Sequence, residues 1–191
     1  MIYESIIKRR TIRKFALRPV PKEVLIKCVD AARLSPSGMN RQPLKYVIVN
    51  DPQLLLSVFS TLTWARNIPG YKHAPSEVPK AFIVILLDTK IREQPGSDPG
   101  IAAMSISMVA YEAGLGSCML GSVDRPRLQE ILMVPENLKV LLVVALGYPK
   151  EKSKAVKLED GDTKYWFDKK GVLNVPKRKF EDIVVWNTYQ T

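Results

Sequence analysis

The sequence predicts an α+β fold, a central sheet flanked by helices, on three observations. Two wholly apolar runs, residues 81–87 and 140–146, are bounded by polar residues, as strands covered on both faces are. Between and around them, apolar residues recur every three or four positions, the spacing that lines one face of a helix. A chain of 191 residues builds one well-packed core but would leave two marginal ones if divided, so residues 1–191 are read as a single domain.

The elements follow in order. Residues 21–34 place Val24, Leu25, Cys28, Val29 and Ala32 on one helical face, with Pro21 suited to the first turn. Turn-formers crowd residues 35–43, and the β-favouring run Lys45-Tyr46-Val47-Ile48-Val49 follows. Asp51-Pro52 reads as the cap and first position of a helix carrying Leu54, Leu55, Val58 and Leu62. Three prolines and a glycine between Trp64 and Pro79 predict a mobile connection into the strand at 81–87. Residues 101–113 are apolar around nearly the whole helical circumference, which a surface helix would not tolerate, so this helix belongs at the centre of the molecule or of a dimer. Residues 117–121 read as a short strand ending in a glycine turn, 124–132 as a helix and 138–147 as a buried strand. After Gly147 the pattern fails. Residues 148–179 are polar, basic and broken by Gly161, Gly171 and Pro176, which predicts disorder or an extension wrapped on a partner. An apolar pattern returns at 180–186, predicting that the tail docks.

Composition narrows the function. With 46% hydrophobic and 25% charged residues the chain falls among ordinary globular proteins, and its apolar runs are too short to cross a bilayer. Residues 1–8 lack the apolar stretch of a signal peptide, so a cytoplasmic location is expected. Cys28 and Cys118 lie among apolar residues and His73 is the one histidine, which favours buried reduced thiols over a disulfide framework or a metal site. A formal charge of +10 calls for an anionic partner: nucleic acid, an acidic membrane surface or a phosphorylated cofactor. The basic residues concentrate in residues 5–22, which contain no acid, and in 150–179, with ten Lys and Arg against five acids. Folding could join the two stretches into one anion site.

Five segments then stand in a telling order. They are Arg9-Arg10-Thr11-Ile12-Arg13-Lys14-Phe15; Pro36-Ser37-Gly38-Met39-Asn40-Arg41-Gln42-Pro43; Asp98, Gly100 and Ala102; Gly114-Leu115-Gly116-Ser117-Cys118; and Ala145-Leu146-Gly147-Tyr148-Pro149. None is specific alone. In this order and at this spacing they resemble the nitroreductase family over nearly the whole chain.

The resemblance implies a mainly antiparallel sheet and an obligate homodimer whose C-terminal extension, 148–179, wraps the partner. It implies non-covalently bound FMN, with NAD(P)H as co-substrate. Hydride would pass by a ping-pong cycle to a small acceptor such as a nitroaromatic, quinone, enone or flavin. No side chain is required as a catalytic acid or base, and no metal is expected. Arg9 and Arg10, with Thr11, suit a 5′-phosphate, because guanidinium forks match its oxygens in geometry and sign. A solvated basic helix end is the alternative reading. Arg13 would lie near the pyrimidine end of the flavin and favour its reduced form. Pro36, Ser37, Gly38, Asn40 and Gln42 would reach the ribityl chain and ring edge of the flavin held by the other subunit. Backbone at Leu120 and Gly121 would face N5 and the C4 carbonyl, and the late basic cluster Val175-Pro176-Lys177-Arg178-Lys179, Arg178 foremost, would complete the phosphate site, with a solvated charge run as the alternative. Trp64, Tyr71 and His73 either roof the acceptor pocket or serve as packing residues. Leu44, Met104 and Ser105 depart from common family residues. Two rivals remain: other flavin chemistry on the same scaffold, reductive dehalogenation or flavin fragmentation, and a non-enzymatic basic protein that binds nucleic acid.

Overall fold

A computed structural model of the protein describes residues 1–189, so the last two residues of the expected 1–191 domain lie outside the described ones. Its centre is β2 (Ala81–Asp88), where Ala81 through Leu87 are all buried. Alternation divides this strand between two cores. Phe82, Val84 and Leu86 enter one core, while Ala81, Ile83 and Ile85 enter the other. Each large apolar side chain so buried contributes about 1.5–3 kcal/mol. β2 pairs with β1 (Leu44–Val49) on one side and β4 (Leu138–Gly147) on the other, and β3 (Gly116–Leu120) closes the order β1-β2-β4-β3. All three pairings are antiparallel, as the resemblance implied.

Helices cover both faces. α2 (Lys22–Arg33) and α4 (Asp98–Glu112) pack over the face of Ile83 and Ile85. α3 (Pro52–Ser60) and α5 (Arg125–Ile131) cover the face of Phe82 and Val84. Asp51 caps α3 by accepting from Gln53 N–H at 2.8 Å and Leu54 N–H at 3.2 Å, and Asp124 caps α5 by accepting from Arg127 N–H at 3.2 Å. Pro21 stands just before α2, as its N-cap. Both cysteines are free and buried. Among the described residues no helix is long and apolar enough to cross a membrane.

At three segments the structure adds to the sequence reading, and of the two alternatives for residues 148–179 disorder is corrected. Residues 148–179 contain a second sheet of β5 (Lys152–Lys157), β6 (Trp166–Phe167) and β7 (Val172–Lys177), ordered β5-β7-β6, with β5 and β7 parallel. Polar bonds rather than apolar periodicity hold its turn. Asp168 Oδ1 accepts from Lys170 N–H at 2.9 Å and Val172 N–H at 3.0 Å, and Asn174 Nδ2 donates to Asp168 Oδ2 at 3.3 Å. The connection at 64–79 is anchored by an aromatic cluster, in which Phe59, Trp64 and Tyr71 surround His73 at centroid distances of 4.7–5.1 Å. Residues 180–186 do not dock on their own chain: Phe180, Ile183 and Trp186 are 63%, 60% and 80% exposed.

Candidate functional site

The basic motif follows α1 (Ile2–Lys8) and runs as an extended segment wedged into the main sheet. Ile12 N–H donates to Ser117 O at 2.9 Å on β3, Phe15 N–H to Glu77 O at 3.0 Å, and Ala16 N–H to Tyr148 O at 2.8 Å beyond β4. Ile12 and Phe15 are buried and press on bare backbone. A Cβ at Gly116 would stand 2.6 Å from Ile12 Cβ, and one at Gly147 would stand 2.9 Å from Phe15 Cδ1. These close approaches explain why glycine belongs in the 114–118 and 145–149 segments. With Ile12 turned inward, the two-residue period of extended backbone leaves Thr11 and Arg13 on the opposite side.

There they line a cavity of about 190 Å³, with Arg9 and Arg10 from the same motif, Ser153, Val175 and Lys177 from the second sheet and Tyr165 just before β6. Folding has joined the two basic stretches. None of these lining residues is acidic, and four are cations. Arg9 Nε and Ser153 Oγ are buried without a hydrogen-bond partner. Burial, reinforced by Arg10, lowers the Arg9 pKa, so an anion in the cavity would relieve both strains. Arg10 is committed elsewhere, donating from Nε to Arg9 O at 2.7 Å and from Nη2 to Ile7 O at 2.7 Å, so it caps the end of α1. The guanidinium of Arg13 stands 4.8 Å from the Tyr165 ring centroid. Lys177 reaches the cavity, while Arg178 is exposed and outside its lining. A phosphate monoester fits this donor set in charge and in unsatisfied donors.

The loop of Pro36, Ser37, Gly38, Asn40 and Gln42 lies elsewhere. Met39, Asn40 and Gln42 hold positive φ of 55°, 53° and 50°, strain of the kind that collects at functional sites. Ser37 Oγ accepts from Gln42 N–H at 3.0 Å, and the buried Asp98 accepts through Oδ1 from Gly38 N–H at 3.0 Å. Arg92 lies on bare Gly38, where a Cβ would meet Nη1 at 2.7 Å. The loop borders a separate cavity of about 370 Å³ that shares no lining residue with the basic one. Leu120 is buried at the end of β3, and Gly121 follows it exposed, its carbonyl accepting from Arg125 Nη2 at 3.2 Å.

Of the late basic cluster it is Lys177, not Arg178, that lines the cavity; Ser153 in β5 and Tyr165 just before β6 escaped the sequence reading because that region carries no periodic signal. Glu151 escaped too, although it stands two residues beyond Pro149 of the fifth segment. Burial raises its carboxyl pKa against the opposing pull of the Arg13 and Lys14 N–H groups. Burial lowers the pKa of His73, partly offset by its bond to Arg13. Burial also pushes the Cys118 thiol up to about 11, which leaves it a poor nucleophile. Among the described residues no group of three His, Cys, Asp or Glu is placed to hold a metal ion.

A family model described as the Nitroreductase family matches residues 6–77 and 80–148. The "Putative NADH dehydrogenase/NAD(P)H nitroreductase" of Archaeoglobus fulgidus is 32% identical over 165 residues, covering 82% of this chain and 90% of its own. The iodotyrosine deiodinase of Thermotoga neapolitana is 26% identical over 167 residues, covering 78% of this chain and 89% of its own. Among solved structures, the FMN-dependent nitroreductase of Clostridium difficile superposes with a TM-score of 0.72 at 24% identity, covering 98% of this chain and 99% of its own, a likeness of fold.

Proposed function

Because this chain belongs to the nitroreductase family, we propose that residues 1–191 act as one cytoplasmic, FMN-dependent oxidoreductase unit that uses NAD(P)H as co-substrate. The observation that carries this reading is the basic cavity, whose orphaned Arg9 Nε and Ser153 Oγ call for an anion. FMN held there would supply hydride transfer from NAD(P)H to a small acceptor such as a nitroaromatic, quinone, enone or flavin, in a ping-pong cycle.

The chain's own residues hold and orient. Arg9, Thr11, Ser153 and Lys177 bind the phosphate, with Arg10 and Arg178 supplying charge at the rim. Arg13 places a fixed cation at the pyrimidine end, which favours the reduced cofactor. Backbone at Leu120 and Gly121 faces the reactive edge. Pro36, Ser37, Gly38, Asn40 and Gln42 contact the cofactor held by the second subunit of a homodimer. That assignment is supported by the separation of the two cavities within one chain.

The experiment is the absorption spectrum of the purified protein, with FMN titrated into any cofactor-free fraction. Flavin bands that bleach on anaerobic addition of NADH or NADPH, at about one FMN per chain, are expected. Release of FAD, or no binding on titration, overturns the reading. A second reading, reductive dehalogenation on the same cofactor, is supported by the similarity to the Thermotoga deiodinase. Turnover of a halogenated phenol faster than of a nitroarene or quinone in a parallel assay would favour it.

A further inference from the structure

The backbone of Arg13 is gripped on both sides by side chains from distant parts of the chain. Its N–H donates to Glu151 Oε1, which also accepts from Lys14 N–H at 3.3 Å. Its carbonyl accepts from His73 Nε2 at 2.8 Å, which assigns the ring proton to that nitrogen. His73 is itself fixed by edge-on contacts with Phe59 at 5.1 Å, Trp64 at 4.7 Å and Tyr71 at 5.1 Å. Next along the chain, Lys14 Nζ is 3.2 Å from Glu77 Oε2, which immobilises the following side chain.

The arrangement is costly. Glu151 Oε2 is buried with no partner, although a backbone carbonyl could satisfy the Arg13 N–H without burying a charge. Two side chains from remote segments therefore do what ordinary strand pairing does for Ile12. Their common effect is to fix the peptide planes on either side of the Arg13 Cα, and with them the direction in which its side chain leaves the backbone. That side chain lies against Tyr165 at the mouth of the basic cavity.

We propose that Glu151 and His73 are positioning residues for Arg13, a two-sided clamp on its peptide that aims the guanidinium into the cofactor site. The redox consequence rests on the reading above, that Arg13 faces the pyrimidine end of FMN. The clamp itself does not.

Two measurements on the full-length protein separate these. In the first, the Arg13 Nε–Hε resonance, displaced by the Tyr165 ring current and assigned by its loss in Arg13→Lys, is followed in nitrogen-labelled protein freed of FMN. Glu151→Ala and His73→Ala should each abolish the displacement, and Glu151→Gln, which keeps an acceptor oxygen, should restore most of it. Either alanine variant suffices if the other fails to fold. An unchanged Arg13 signal in a folded alanine variant overturns the clamp, as does a Glu151→Gln protein no better than Glu151→Ala. The second measurement is the midpoint potential of bound FMN in a double-mutant cycle. Arg13→Ala and Glu151→Ala should each lower it, and Glu151→Ala should add nothing in the Arg13→Ala background. A Glu151→Ala shift of equal size in both backgrounds means that the carboxylate acts on the flavin directly and overturns the proposal. A midpoint unmoved by Arg13→Ala removes Arg13 from the flavin and leaves the clamp to be decided by the first measurement.

Discussion

Arg9 and Arg10 are neighbours of identical chemistry with different work. Arg9 lines the basic cavity and leaves a buried Nε unpartnered, whereas Arg10 directs Nε and Nη2 to carbonyls at the end of α1. Hydrogen bonds to charged groups contribute about 1.5–3 kcal/mol. Arg9→Ala should therefore weaken FMN binding by roughly 10–100-fold, at about 1.4 kcal/mol per tenfold. Arg10→Ala should change affinity by less than about threefold and instead lower the melting temperature, since a cation at a helix C-terminus contributes about 0.3–1 kcal/mol. Quenching of FMN fluorescence on titration and thermal melts of the cofactor-free protein check both. Equal losses of affinity would return Arg10 to the phosphate.

At the scale of elements, the motif strand depends on glycines facing it. Gly116→Ala forces a Cβ to within 2.6 Å of Ile12 Cβ, and overpacking of this kind costs about 1–3 kcal/mol. The variant should melt several degrees lower and lose FMN affinity as Arg9 and Arg13 are displaced. Gly100→Ala is the control. It sits in α4 with nothing within 4 Å of the added Cβ, so it should melt at or above the wild-type temperature. Melts of the three proteins decide the matter, and a Gly116→Ala protein as stable as wild type would mean that Ile12 has room to move. The same contrast explains what could be read in the sequence. β2, β4 and α4 were legible because continuous apolar runs have few other places to go. The motif arginines were legible because their spacing matches a known series. The second sheet was not, since Asp168 and Asn174 hold it through polar bonds that leave no period. Nor was the anchoring of 64–79, because Phe59, Trp64, Tyr71 and His73 meet only in three dimensions.

For the whole molecule, the apolar side chains left uncovered are the informative ones. Ile2 and Tyr3 of α1 are 79% and 69% exposed, and Ile101 of α4 and Trp186 of the tail are exposed as well. In the proposed homodimer a second copy covers such side chains and brings its 36–42 loop to the cavity of the first. Two disabled chains test this. One carries Arg9→Ala and the other Asn40→Asp, and assayed at FMN concentrations far below the weakened Kd each alone should be nearly inactive. After random exchange half of the dimers are mixed, and each mixed dimer has one intact pocket, so roughly a quarter of wild-type activity should return if sites are shared. Activity that stays at the level of the separate mutants, despite demonstrated exchange, would assign both motifs to one chain. The wedged motif strand also has a consequence for synthesis. Residues 9–16 seat between β3 and the stretch after β4, against partners as late as Glu151, whose Oε1 accepts from Arg13 N–H, and Tyr165, whose ring the Arg13 guanidinium covers. At about 5–20 residues per second, a ribosome delivers those partners on the order of ten seconds after the motif has emerged. Until then Ile12 and Phe15 lack the part of their core that β4 supplies, Val140, Val143 and Ala145. If the basic cavity holds the flavin, as proposed, cofactor capture waits for Val175 and Lys177 of β7, and a nascent protein interrupted before β4 should not hold flavin.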